Sequence, residues 1–246
     1  MKKQLITKGF CAIALAFMFS ACQKNGSSPS TTGTQLSFAM SADNSSTALP
    51  SSVGGLTTNA TTGTASIAWT SGIANIAYFK LEAKKGNTSV EIKSKALTNV
   101  DIFAPIPAKI AAAIDTGTYR EIEIKIVLAK TTTANIPLTL KGNFTTAGGA
   151  VVPIEFDFND DAIIKAELEN ITVDGKTDLA TTIKFHLNKL LTNTAAAILD
   201  KADRVNGTIV ISSTVNVALY NAIKAHFELC GEGKGFEHHD KSERGK

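Results

Sequence analysis

The sequence predicts a mainly β protein: an antiparallel β-sandwich with a short inserted helix and a C-terminal helical extension. Three observations carry this. Apolar and polar residues alternate with period two through most of residues 35–185. In "REIEIKIVL", Ile122, Ile124, Ile126 and Leu128 share one face, while Glu121, Glu123 and Lys125 share the other. Turn signals punctuate the runs, with Asp174-Gly175 predicting a hairpin and Asn206-Gly207 a tight turn into "TIVIS". The strands also follow one another at short intervals, which favours antiparallel pairing over a βαβ sheet.

The N-terminus comes first in order. Lys2, Lys3 and Lys8 precede an apolar run over residues 10–19, well short of the roughly 20 residues that cross a bilayer. Phe19-Ser20-Ala21-Cys22 then resembles the bacterial lipobox, with phenylalanine where leucine is usual. The resemblance implies cleavage of residues 1–21 and a lipid on Cys22. An uncleaved anchor or an ordinary A-x-A-like signal is the alternative. Residues 22–34, rich in Ser, Thr and Gly, predict a flexible tether. Each buried acyl CH₂ contributes about 0.8 kcal/mol, so several chains on Cys22 would hold a folded domain on a membrane without a spanning helix.

The formal charge is +3, and residues 1–21 hold three lysines and no acid. Removing them leaves 22 basic and 22 acidic residues, so no basic excess points to nucleic acid. Of the three cysteines, Cys11 leaves with the leader and Cys22 takes the lipid. Cys230 alone cannot form an internal disulfide, so the domain must stand on its core.

The sandwich is expected over residues 35–185. Its strands are marked by Leu36, Phe38 and Met40; Ile67 and Trp69; Phe79, Leu81 and Ala83; Val90 and Ile92. The "REIEIKIVL" strand follows, then Ile136, Leu138 and Leu140, and Val152, Ile154, Phe156 and Phe158. Pro137 and Pro153 fall on the outward phase, which predicts edge strands or bulges there. Pro107 at a first helical position, Ile110, Ala111 and Ile114 on one face, and Gly117 as a stop predict the inserted helix. Residues 186–230 are expected to pack on the sandwich as a helical extension with a late strand. One helix is predicted over 187–202 and another over 214–227, the latter capped by Ser213 or Thr214. Residues 231–246, "GEGKGFEHHDKSERGK", predict a disordered tail.

Several stretches, taken with the lipobox and tether, are similar to a family of uncharacterised bacterial envelope lipoproteins with a domain of unknown function. They are "TQLSFAMSAD", "TGTYREIEIKI", "PIEFDFNDDAIIKAEL" and "NGTIVISSTVNVALYNAIKAHF". The resemblance implies a transthyretin-like or immunoglobulin-like β-sandwich and an outer-membrane, periplasmic or surface-facing location. It brings no catalytic residues.

Chemistry leaves few marks. Glu155, Asp157, Asp160 and Asp161 cluster in "EFDFNDD", but Ala162 and Leu168 stand where an EF-hand needs glycine and glutamate. A calcium site of another kind or outward-facing acids with an Asx turn remain the two readings. His238, His239 and Asp240 read either as transition-metal ligands or as part of a solvated, glycine-rich tail that does not preorganise a site, and His186 and His226 have no recognisable catalytic partner. No nucleophile elbow, zinc-protease helix, P-loop or C-x-x-C occurs. No catalytic residue, metal or cofactor is therefore expected. Trp69, Tyr78 and Tyr119 are the aromatic candidates for stacking a sugar, with core packing as the alternative for each. The sequence thus predicts a membrane-tethered binding or scaffolding module for glycan or another envelope protein. A polymer-degrading hydrolase and a fimbrial or stalk assembly subunit are the alternatives. Mass spectrometry of the mature protein is expected to show an N-terminal acylated Cys22, and Cys22→Ser to abolish lipid incorporation.

Overall fold

The computed structural model describes residues 34–50, 63–233 and 237–240. The expected leader, Cys22 and the tether up to residue 33 lie outside the described residues. In chain order, the first strands are β1 (Thr34–Asp43), β2 (Ser46–Ala48), β3 (Ser66–Ile76), β4 (Tyr78–Lys85), β5 (Thr88–Lys93) and β6 (Leu97–Asp101). Next come β7 (Lys109–Ile114), β8 (Gly117–Leu128), β9 (Leu138–Thr145), β10 (Val151–Phe158), β11 (Ala162–Val173) and β12 (Thr177–His186). Helices α1 (Leu187–Leu190) and α2 (Ala196–Asp200) lead to β13 (Arg204–Val205), β14 (Thr208–Ile211) and α3 (Val217–Lys224). A 3₁₀ turn (Phe227–Cys230), β15 (Gly231–Gly233) and β16 (Glu237–Asp240) follow.

Strand makes up 57% and helix 11%, which places the fold in the mainly β class. Three sheets form. One runs β15-β12-β1-β7, with β16 also on β12; one runs β13-β14-β10-β9-β3-β2, with β6 on β3; one runs β11-β8-β4-β5. Most pairings are antiparallel, but β1 with β12 and β10 with β14 are parallel. The alternation in β8 resolves as expected. Ile122, Ile124 and Ile126 are fully buried, each contributing roughly 1.5–3 kcal/mol. The chain passes between sheets where β3 runs into β4, and the intervening Ala77 N–H donates to Val127 O at 2.9 Å.

A single apolar cluster draws on all three sheets. Phe38 of β1 meets Phe79 of β4 with centroids 5.2 Å apart. Phe158 of β10 stacks on Phe227 at 4.1 Å and 15°, and Phe227 in turn meets Phe185 of β12 at 5.1 Å. Tyr220 of α3 closes the group, 6.0 Å from Phe156 and 6.3 Å from Phe158.

Several local expectations are corrected. The inserted helix is strand β7, paired with β1 from Thr34↔Ile114 to Ala39↔Lys109. Alanine favours helix, but pairing along the edge of β1 overrides that local preference. The helix expected over 187–202 splits into α1 and α2, because Asn193 is left-handed (φ 61°) and Ala196 N–H donates to Pro50 O at 2.9 Å. The last helix starts at Val217. Asn216, not Ser213 or Thr214, precedes it, while Ser212 Oγ accepts from the Val215 N–H at 3.0 Å.

Asp174-Gly175 is a turn, with Asp174 Oδ1 accepting from Lys176 N–H at 2.8 Å, but it joins different sheets rather than a hairpin. Asn206-Gly207 does make a hairpin between β13 and β14, with φ 51° and 85°. Pro137 is buried just ahead of β9, and Pro153 lies just outside the β10 stretch that pairs with β14. Both strands are interior; Pro137 precedes the β9 ladder, and Pro153, paired with Asn143 of β9, lies on a stretch of β10 whose other side β14 leaves uncovered. The tail expected to be disordered instead lays Gly231–Gly233 and Glu237–Asp240 antiparallel along β12, whose other side is taken by β1.

Phe158→Ala removes the ring shared by β10, α3 and the 3₁₀ turn. It is expected to lower stability by about 3–5 kcal/mol, read from urea unfolding.

Candidate functional site

The aromatic candidates separate by burial. Trp69 is 3% exposed and Tyr119 1% exposed, so neither ring presents a face to a sugar. Trp69 lies where β3 slips register against β9, and a Cβ on the facing Gly142 would strike Ala68 O and Trp69 Cα. Tyr119 donates its hydroxyl to Asp115 O at 2.8 Å, locking the turn into β8 in the manner of a tyrosine corner. Burial first and the Asp115 charge second push its hydroxyl above the usual phenolic range. Tyr78 is half-buried, and its ring carries Lys93 Nζ at 3.5 Å from the centroid. A cation already occupies the surface that a sugar would use.

The acidic cluster is a fastening. Asp161 Oδ1 accepts from Lys130 N–H at 2.8 Å, and Asn159 binds Thr131 in both directions, accepting at 3.0 Å and donating at 2.9 Å. These bonds tie down the connection from β8 to β9. Asp160 pairs with Lys224 of α3, whose hydrogen bond holds its carboxyl below the usual range. Glu155 meets Lys141 at 3.1 Å, and Thr139 donates to Asp157 at 3.1 Å. Each acid thus has a protein partner. Among the described residues no group of three potential ligands could hold a metal ion. His238 and His239 lie on β16 opposite Leu179 and Asp178.

One pairing is invisible in the sequence. The parallel register of β1 and β12 sets Asp43 beside His186, and Asp43 Oδ1 lies 2.5 Å from His186 Nδ1. Asn44 Nδ2 approaches the same nitrogen at 3.5 Å and donates to Asn188 at 3.2 Å. A carboxylate that orients an imidazole is the supporting half of a nucleophilic site. Only the 143-residue strand pairing reveals it.

A recess of about 810 Å³ opens between α2 and the start of α3. Ile198 and Val217, 45% and 44% exposed, face solvent there, and Lys201 and Asp203 add charge. Asn216 builds this wall. Its left-handed backbone starts α3, its amide donates to Asp203 O at 2.9 Å and Val210 O at 2.7 Å, and Asp203 N–H donates back at 2.9 Å. Cys230 lies elsewhere, fully buried, its thiol 3.3 Å from His226 O. Desolvation pushes the thiol up to about 12, so it is neutral and unreactive at physiological pH.

No family model, curated protein or solved structure matches this chain.

Asp157 supplies a pH test. Burial, then the nearby Glu155 charge, raise its carboxyl above the ordinary 3.8. A raised folded-state value means that the charged form weakens the fold as pH rises through it, and that the effect is absent at lower pH. Asp157→Asn should therefore raise the urea midpoint at pH 7, and the gain should disappear as pH falls below 3.8.

Proposed function

We propose that this protein is a lipid-anchored, non-enzymatic binding or scaffolding module of a bacterial cell envelope. The observation that carries the reading is Phe19-Ser20-Ala21-Cys22, placed between a short apolar run and a Ser/Thr-rich tether. Among the described residues no helix is long and apolar enough to cross a membrane, so a lipid would supply the attachment. The resemblance to envelope lipoproteins with a transthyretin-like or immunoglobulin-like sandwich supports this location. The ligand class is glycan or another envelope protein, and burial of Trp69 and Tyr119 weighs toward protein.

A hydrolase of envelope polymers is the second reading, favoured by the Asp43–His186 pair alone. His186→Ala would abolish hydrolysis of envelope polysaccharide if that reading held and leave binding unchanged if the first holds.

Fractionation of cells is expected to place the wild-type protein with membranes and Cys22→Ser in the soluble or unprocessed pool. Surface protease shaving of intact cells then distinguishes a surface-facing module, which is cleaved, from a periplasmic one, which is protected. Membrane association that survives Cys22→Ser would overturn the reading.

A further inference from the structure

The outer face of the sheet β11-β8-β4-β5 carries its charges in rows. Lys165, Lys125, Lys80 and Lys93 lie directly opposite one another across the four strands. Two residues along, Glu167, Glu123, Glu82 and Glu91 do the same. With strands about 4.8 Å apart and a rise of about 3.4 Å per residue, each row spans roughly 14 Å and the rows lie roughly 7 Å apart.

Like charges set directly opposite are destabilising. Within one chain, alternating signs along each row would serve the sheet better. The chain relieves the repulsion lengthwise and diagonally instead. Lys80 Nζ lies 2.5 Å from Glu82 and 3.0 Å from Glu91, and Lys125 Nζ lies 3.3 Å from Glu82 and also pairs with Glu123. On β11, Lys165 and Glu167 are exposed and make no ion pair among the described residues.

We propose that this face docks against the same face of a second copy of the chain. The two-fold axis lies in the plane of the face, parallel to the rows and between them. Rotation about it lays each lysine row over the other copy's glutamate row, with β8 facing β8. The perpendicular in-plane axis would set lysine over lysine and is excluded by repulsion.

A second copy fits this face better than a linear polyelectrolyte does. A polyanion on the lysine row would run about 7 Å from four carboxylates, inside the roughly 8–10 Å Debye length at physiological salt. A polycation on the glutamate row meets the converse. Only a surface striped with both signs neutralises both rows. With 22 basic and 22 acidic residues after residue 21, no net charge holds two mature copies apart. Four strands give a smaller contact than the roughly 800 Å² per partner of a standard interface. The dimer is therefore weak and salt-sensitive.

Sedimentation equilibrium of the full chain tests this at low and high salt. The wild type is expected to dimerise, with an apparent Kd rising about tenfold or more as salt shortens the Debye length from about 30 Å to about 3 Å. The double variants Lys80→Glu/Lys125→Glu and Glu82→Lys/Glu123→Lys should each lose self-association. Their equimolar mixture should regain it, because one face is then acidic and the other basic. A wild type that stays monomeric at low salt, a dimer indifferent to salt, or a mixture of folded variants that fails to pair overturns the proposal. If the reversed variants do not fold, the neutral set Lys80→Gln, Glu82→Gln, Glu123→Gln and Lys125→Gln replaces them. Loss of the dimer supports the proposal, and its persistence overturns it. Wild-type binding to an acidic polysaccharide without dimerisation also overturns it. Wild type and variants share residue 22, so any association through an acyl chain is common to all of them and produces neither the charge-reversal pattern nor its rescue by mixing.

Discussion

The stacking of Phe158 on Phe227 is the contact on which the C-terminal part of the chain depends. Phe158 closes β10 in one sheet, and Phe227 begins the 3₁₀ turn that leads to β15 on another. Phe185 and Tyr220 complete the cluster from β12 and α3. The short helices are too brief to be stable alone. They persist because their apolar residues, Leu187, Leu190, Leu199 and Ile223, are buried in this core. With Cys230 free and buried, no disulfide shares the task among the described residues.

The same core positions the surface features. Tyr220 packs on Phe156 and Phe158, which sets α3 over the end of β10 and brings Lys224 to Asp160. Asn216, at the other end of α3, ties the helix start to Asp203 and forms a wall of the recess. Asp161 and Asn159 after β10 then hold the β8–β9 connection by accepting from backbone N–H groups. Local polar bonding explains the acidic cluster without a bound ion, since carboxylates and side-chain amides readily satisfy exposed turn donors.

Legibility in the sequence followed the range of the interaction involved. Period-two alternation exposed the inward set of β8 because a strand's own backbone geometry decides which side chains share a face. Asn206-Gly207 was legible because positive φ at both positions is a local demand. The alanine-rich run at 109–114 was not, since its choice between helix and strand was made by the edge of β1. Whether Trp69 and Tyr119 pack in the core or stack on a ligand was not legible, because alternation identifies faces without saying which face is covered. Asp43 and His186 meet only through a parallel pairing between the first and twelfth strands.

By itself, the sequence determined the mainly β class and the inward faces of the long strands. These are properties of composition and short-range periodicity. Tertiary structure alone decided the sheet order, the two parallel pairings, the burial of the aromatic candidates and the alignment of lysine with lysine and glutamate with glutamate. The physical reason is register: a charge's neighbours across a sheet are set by strand pairing over tens of residues, and a slip of one position would send every one of those side chains to the opposite face.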